Sequence, residues 1–364
     1  MDVTPALAPL PTVLVVPTGI GCTIGGYAGD ALPSARLLAA ASGCLITHPN
    51  VMNGAALYWS DPRIHYVEGS ALDRFAAADL ALRPVRRQRV GLLLDAGIEA
   101  ELRLRHLQVA DGCRATLGLE IGPVVTTEAP LGVSLRQGPS GVSWGTLQRP
   151  DALRRAGEAL RDRGATAIAV VARFPDDPES GALAAYRSGS GVDLLAGAEA
   201  VISHLLSRHL NLPCAHAPAL WSLALDPDLD PRAAAEELGT TFLPCVLVGL
   251  SRAPDLVPLH LPDRAAAARA GCGELIRADQ IEAVVAPAGA LGGAAVLACA
   301  QRGVPVIAVN NPCLLSVTAA ALGLVEAGAV VWEVASYLEA AGLLLSLREG
   351  ISPAALRRPL PQMR

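Results

Sequence analysis

Lysine is missing from the whole 364-residue chain; all 29 basic side chains are arginine. Without a lysine amine no Schiff base forms, which excludes pyridoxal phosphate and class I aldolase mechanisms. The P-loop and the protein-kinase site lose the lysine that holds their nucleotide phosphates. Biotin and lipoyl groups lose their attachment point. Any anion recognition falls to arginine, backbone N–H groups or helix N-termini. Charge and aromatics are also scarce, at 17% and 3%, and the net charge is −5. A nucleic-acid binder needs a basic footprint and stacking platforms, so no nucleic-acid partner is expected. The clusters Arg83, Arg86, Arg87, Arg89 and Arg154, Arg155, Arg161, Arg163 read as solvated helix ends and linkers.

Cysteine is sparse as well. Eight are spread over the chain, no two form a Cys-x-x-Cys pair, and neither a disulfide scaffold nor structural zinc is expected. The start Met1-Asp2-Val3 has no basic region of a secretory signal, so reduced thiols and a cytoplasmic location are expected. Mean hydropathy is +0.39, and residues 283–300 and 303–325 carry no Asp, Glu or Arg. Pro287, Gly289, Gly292 and Gly293 interrupt the first and Asn310-Asn311-Pro312 the second, which fits buried strand, turn and helix better than a membrane span.

What the chain has is apolar mass: 52% hydrophobic residues before its 35 glycines are counted. Short runs, apolar on both faces, suggest buried parallel strands at 13–16, 44–47, 64–67, 90–94, 124–127, 166–171, 242–248, 281–286 and 304–309. Helical patterns lie between them, at 33–41, 71–78, 98–109, 150–163, 194–210, 231–238, 264–270 and 293–302, and a last one covers 333–348. The alternation predicts an α/β fold with mostly parallel sheets covered by helices. Two lobes are expected, 1–148 and 149–349, with a Pro/Arg tail at 350–364. The stretch 132–150 reads as a linker or hairpin, 174–191 as a mobile loop, and 251–262 as irregular.

In open α/β sheets ligands bind beyond the carboxyl ends of the strands. After the first strand come Thr18, Gly19, Gly21, Gly25 and Gly26, a turn able to bring backbone close to an anion or simply to fold tightly. It lacks the third glycine of G-x-G-x-x-G, so NAD is not supported. A similar Pro-x-Gly turn, Gly-Gly and helix recur at Gly289, Gly292 and Gly293, followed by Asn310 and Asn311. The two units are either coincident βαβ motifs or an old duplication.

The second strand leads to His48, Asn50 and Asn53, a group suited to holding a carboxylate, with His48 as acid/base. Asp95 and Glu128 follow other strands and read as a second catalytic group or as helix-end residues. Cys313, between a strand and a helix, is either a nucleophilic thiol or a small buried hydrophobe. His204, His209, Cys214 and His216 bring four ligand-type side chains into thirteen residues. On a helix the first two lie about 140° apart, so no metal site is expected, and His216 is kept as a ligand contact.

The runs Pro17-Thr18-Gly19-Ile20-Gly21, Thr47-His48-Pro49-Asn50-Val51, Tyr66-Val67-Glu68-Gly69 and 286–293 together resemble the domain of unknown function 3326 family, over about residues 10–350. That family is largely cyanobacterial. The resemblance implies a soluble cytosolic protein and supplies no activity or cofactor. The residues themselves predict an enzyme acting on a small anionic metabolite, a carboxylate or phosphate, by acid/base or group-transfer chemistry. The alternative is a non-catalytic ligand-binding or regulatory protein, and a homo-oligomer is compatible with either.

Overall fold

Alternation along short apolar strands sorts their side chains onto two faces, and each face has found its own helices. The computed structural model describes residues 8–54, 60–176, 181–237, 242–260, 274–360 and 362. Six strands form one parallel sheet: β1 (Leu10–Leu14), β2 (Gly43–Thr47), β3 (Ile64–Tyr66), β12 (Ala283–Pro287), β13 (Val306–Val309) and β14 (Val331–Val334), numbered along the chain. Their order is β14-β13-β12-β1-β2-β3. Leu14, Leu45, Val285 and Ile307 pack with α1 (Leu32–Ser42) and α11 (Tyr337–Arg348). Val13, Ile46, Val284 and Val306 pack on the other face with α3 (Gly69–Ala76) and α10 (Ala294–Gln301).

A second parallel sheet has the order β10-β9-β5-β6, from β5 (Val90–Leu94), β6 (Ile121–Thr126), β9 (Ala167–Arg173) and β10 (Cys214–Ala219). Its Leu93, Ile168 and Val170 face α5 (Pro150–Asp162) and α7 (Ala196–Leu210). Its other face, with Leu92, Ala169 and Ala217, meets α4 (Ala100–Leu117) and α9 (Leu243–Leu250) in the same apolar cluster that holds α1 and α11. Two antiparallel pairs complete the strands, β4 (Leu80–Arg83) with β11 (Asp255–Pro258) and β7 (Val133–Gln137) with β8 (Ser143–Leu147). The short helices α2 (Pro49–Met52), α6 (Gly181–Arg187) and α8 (Pro231–Glu237) belong to the loops.

The α/β architecture with parallel sheets is therefore the one the pattern predicts. The strands do not divide at residue 148, however: the six-stranded sheet takes three from each end of the chain and the four-stranded sheet takes all of its strands from the middle. Residues 242–248, expected as a strand, fall on the N-cap and body of helix α9, whose Leu243, Val246, Leu247 and Leu250 are buried along one face. An apolar run of eight with no polar residue to mark its outer face does not reveal its period. The 132–150 segment is a hairpin. Helix α6 lies inside the expected 174–191 loop, and strand β11 inside the irregular 251–262 segment. The helix expected at 264–270 lies outside the described residues.

Candidate functional site

A cavity of about 110 Å³ sits beyond the carboxyl ends of β1, β2 and β3, where the six-stranded sheet meets α7 and β10. Its wall includes Thr18, His48, Asn50 and Asn53 from the strand-end turns, and Glu68 just past β3. The other side supplies Asp193, Glu199, Ser203 and His204 in and before α7, His216 on β10, and Glu236 on α8.

His48 precedes Pro49, which opens the short helix α2 and leaves the histidine backbone extended. Its Nε2 accepts the Val16 N–H at 3.0 Å. The ring proton is therefore on Nδ1, and burial lowers the pKa from 6.5 to about 4, so His48 is neutral at pH 7. Asn50 Nδ2 donates to the Gly25 carbonyl at 3.0 Å, and Asn53 Oδ1 accepts the Tyr66 hydroxyl at 2.9 Å. Glu68 caps α3: its carboxylate accepts the Ser70 N–H, Ser70 hydroxyl and Ala71 N–H, and Oε1 lies 3.0 Å from His204 Nε2.

Across the cavity, Glu199 and Ser203 stand one helical turn apart on α7 and both reach His216. Glu199 Oε2 is 3.4 Å from His216 Nε2, and Ser203 Oγ is hydrogen-bonded to Nδ1. A carboxylate beside Nε2 favours a proton there, leaving Nδ1 to accept from the serine. Asp193 Oδ1 accepts the Leu195 N–H at 2.8 Å, and burial together with the neighbouring Glu199 charge pushes its pKa up to about 7. Glu236 accepts the Tyr186 hydroxyl at 2.6 Å and the Ala28 N–H, and burial followed by the Asp193 charge raises it well above the carboxylate range. Among the described residues no group of three His, Cys, Asp or Glu side chains is arranged to hold a metal ion.

The family described as "Protein of unknown function (DUF3326)" matches residues 11–357, nearly the whole chain. The chain belongs to that family. It is also 56% identical over 348 residues to an uncharacterised lipoprotein of Synechococcus sp., a match covering 95% of this chain and 93% of the relative. No helix of the described residues is long and apolar enough to cross a membrane.

Of the residues singled out by sequence, Thr18, His48, Asn50, Asn53 and His216 line the cavity. The glycine turns do not. A Cβ on Gly19 would collide with Ser143 Oγ, and one on Gly25 with the Val16 side chain; both have positive φ. A Cβ on Gly26 would strike the Cys22 carbonyl, one on Gly289 would come within 2.6 Å of the Leu315 carbonyl, and those on Gly21 and Gly292 would crowd Val192 and Val317. Only Gly293 faces open space. These glycines let the chain pack on itself.

Asn311 stitches the two turns together, accepting the Ile24 N–H at 2.9 Å and donating to its carbonyl at 2.8 Å, whereas Asn310 is exposed. Asp95 accepts three backbone N–H groups, from Gly97, Leu131 and Arg173, which tie together the ends of β5 and β9. Glu128 is exposed and paired with Arg155, which holds its carboxyl below the usual range. Cys313 lies beside Gly289, with Sγ 3.6 Å from the Leu315 carbonyl.

Sequence reasoning passed over Glu68, Asp193, Glu199, Ser203 and Glu236. One signal was available: Glu199 and Ser203 are four apart in a helix, facing the next strand.

Proposed function

We propose that this protein is an enzyme performing acid/base chemistry on a small polar metabolite held in the cavity. The observation that carries the reading is His216, fixed between Glu199 and Ser203 across the cavity from neutral His48. Glu199 holds the imidazole with its basic nitrogen toward Ser203, so a proton leaving the substrate passes through the serine hydroxyl to His216. His48, with Nδ1–H as donor, orients or polarises a substrate oxygen. The order serine, histidine, carboxylate is that of acyl-transfer enzymes, reached here from a helix and a strand.

The anionic substrate suggested by the glycine turns has less support than the enzyme reading. The turns are filled by the chain itself, and the wall bears four carboxylates. We further propose that the protein works in the cytoplasm, on a metabolite and not on nucleic acid. The absence of lysine leaves no route to Schiff-base cofactors. Cell fractionation tests the location; recovery in the membrane fraction would place it with its lipoprotein relative.

The test of activity is to incubate the full-length protein with a small-molecule cell extract and follow depletion by mass spectrometry. The wild type should consume at least one compound, and His216→Gln should slow that by on the order of 100-fold while keeping the circular dichroism spectrum. A compound retained but never converted would make the protein a binder and overturn the enzyme reading.

A further inference from the structure

We infer that the cavity's substrate is a small amine, its ammonium seated among Asp193, Glu199 and Glu236 and a hydrogen-bond-accepting oxygen placed on His48 Nδ1. The inference deepens the reading of the cavity as a metabolite site and rests on it.

The argument begins with charge. Among the described residues no arginine lines the cavity, and lysine does not exist in the chain. Glu68 is accounted for by the start of α3 and by His204. Asp193 likewise accepts the Leu195 N–H at the start of α7, and Glu236 accepts the Tyr186 hydroxyl and the Ala28 N–H, so what these carboxylates lack is a guanidinium. Glu199 has only His216, while Asp193 and Glu236 have no arginine or histidine within 4.0 Å among the described residues. The nearby guanidinium of Arg232 is committed to Asp30, the Cys22 carbonyl and the Tyr27 ring.

Secluded carboxylates without a cation must take up a proton or find a cation. Burial raises both Asp193 and Glu236 toward the first course. An ammonium supplies the second, with three donors for three carboxylates.

His48 gives an independent pointer to a ligand. It is only 8% exposed, Nε2 is occupied by Val16, and Nδ1–H has no acceptor among the described residues. A donor left over on a side chain that lines the cavity asks for an acceptor from the occupant. A cavity of about 110 Å³ suits a small occupant. A short amino alcohol, or an amine bearing a carbonyl, meets all three conditions. A carboxylate or phosphate of the same size meets the donor on His48 but faces the three acids.

The groups around the ammonium are Glu199, Ser203 and His204 on α7, His216 on β10, Glu236 on α8, Tyr186 on α6, His48 before α2 and Glu68 before α3. Because Asp193 titrates near 7, the amine displaces its proton, and affinity should rise roughly tenfold from pH 6 to pH 8.

Calorimetry on the full chain at pH 8 tests this with ethanolamine against glycolate, ethylene glycol and inorganic phosphate. Ethanolamine should bind, and on repeating the titration at pH 6 should bind roughly tenfold more weakly with release of the Asp193 proton, and the other three should not bind. Asp193→Asn and Glu236→Gln should each weaken it at least tenfold; the glutamine keeps an acceptor for Tyr186, so that variant should fold. Tighter binding of glycolate or phosphate overturns the inference, as does ethanolamine binding indifferent to both variants. So does the failure of ethanolamine, propylamine and 1,4-diaminobutane alike to bind the wild type.

The two readings fail separately. Turnover of a non-amine that depends on His216 removes the amine and leaves the enzyme. Amine binding without turnover of any amine does the reverse.

Discussion

At His48 a single backbone donor settles what the side chain can do. With Nε2 tied to Val16 and burial holding its pKa near 4, the ring enters the folded protein neutral. An unfolded histidine takes up a proton near pH 6.5, so acidification favours the unfolded chain. His48 thus contributes stability that is complete above about pH 6.5 and lost as pH falls toward 4, roughly 3 kcal/mol in all. Half-buried His65, also lowered to about 4 by desolvation, acts in the same direction. Urea unfolding at pH 7 and pH 4.5 should show the loss, and His48→Gln should remove His48's share. A wild type whose stability is flat across this window would contradict the assignment. His48 was legible in the sequence because a polar turn after an apolar strand is a local signal. Asp193, Glu199 and Glu236 were not: each looks alone like an ordinary loop or helix acid, and only the fold makes them neighbours.

The element that most directly sets the site is α7, which carries Glu199, Ser203 and His204. It lies unusually close to the β7–β8 hairpin. A Cβ at Gly197 would run into the Trp144 backbone, and one at Gly145 into Ala198. Gly197→Ala must therefore push α7 from its seat, and should destabilise the protein by about 1–3 kcal/mol in thermal or urea unfolding. Gly112→Ala, in the exposed interior of α4 with nothing nearby, should instead leave stability equal or raise it by up to about 1 kcal/mol. Equal effects of the two changes would show that the close approach has no energetic weight.

At this scale the sequence was readable where period and punctuation agreed. Strands β1, β2, β5, β9 and β12 and helices α1, α5, α7 and α10 all lie where alternation and Gly or Pro breaks suggest. It misled at α9, where no polar residue marks the period, and at the glycine turns, where close self-packing and ligand approach call for the same residue.

For the whole molecule, the pairing of β1 with β12 matters most, since it joins the two ends of the chain. Nothing local in the sequence announces a partner some 270 residues away, which is why a division at residue 148 looked natural. A fragment of residues 1–148 would hold β1–β3 without β12–β14, and β5 and β6 without β9 and β10. It should lack a cooperative unfolding transition and be cut rapidly by protease, whereas the full chain should unfold cooperatively. A stable, cooperative fragment would contradict that dependence.

The same pairing imposes a schedule on synthesis. At the usual ~5–20 residues per second, β1 leaves the ribosome about 15–50 s before β12 exists to cover its free edge. During that interval the first three strands and α1 have an exposed flank, while the middle sheet, complete once β10 is made, can form earlier. The nascent chain therefore matures from its interior outward, and its oldest segment is among the last to be finished.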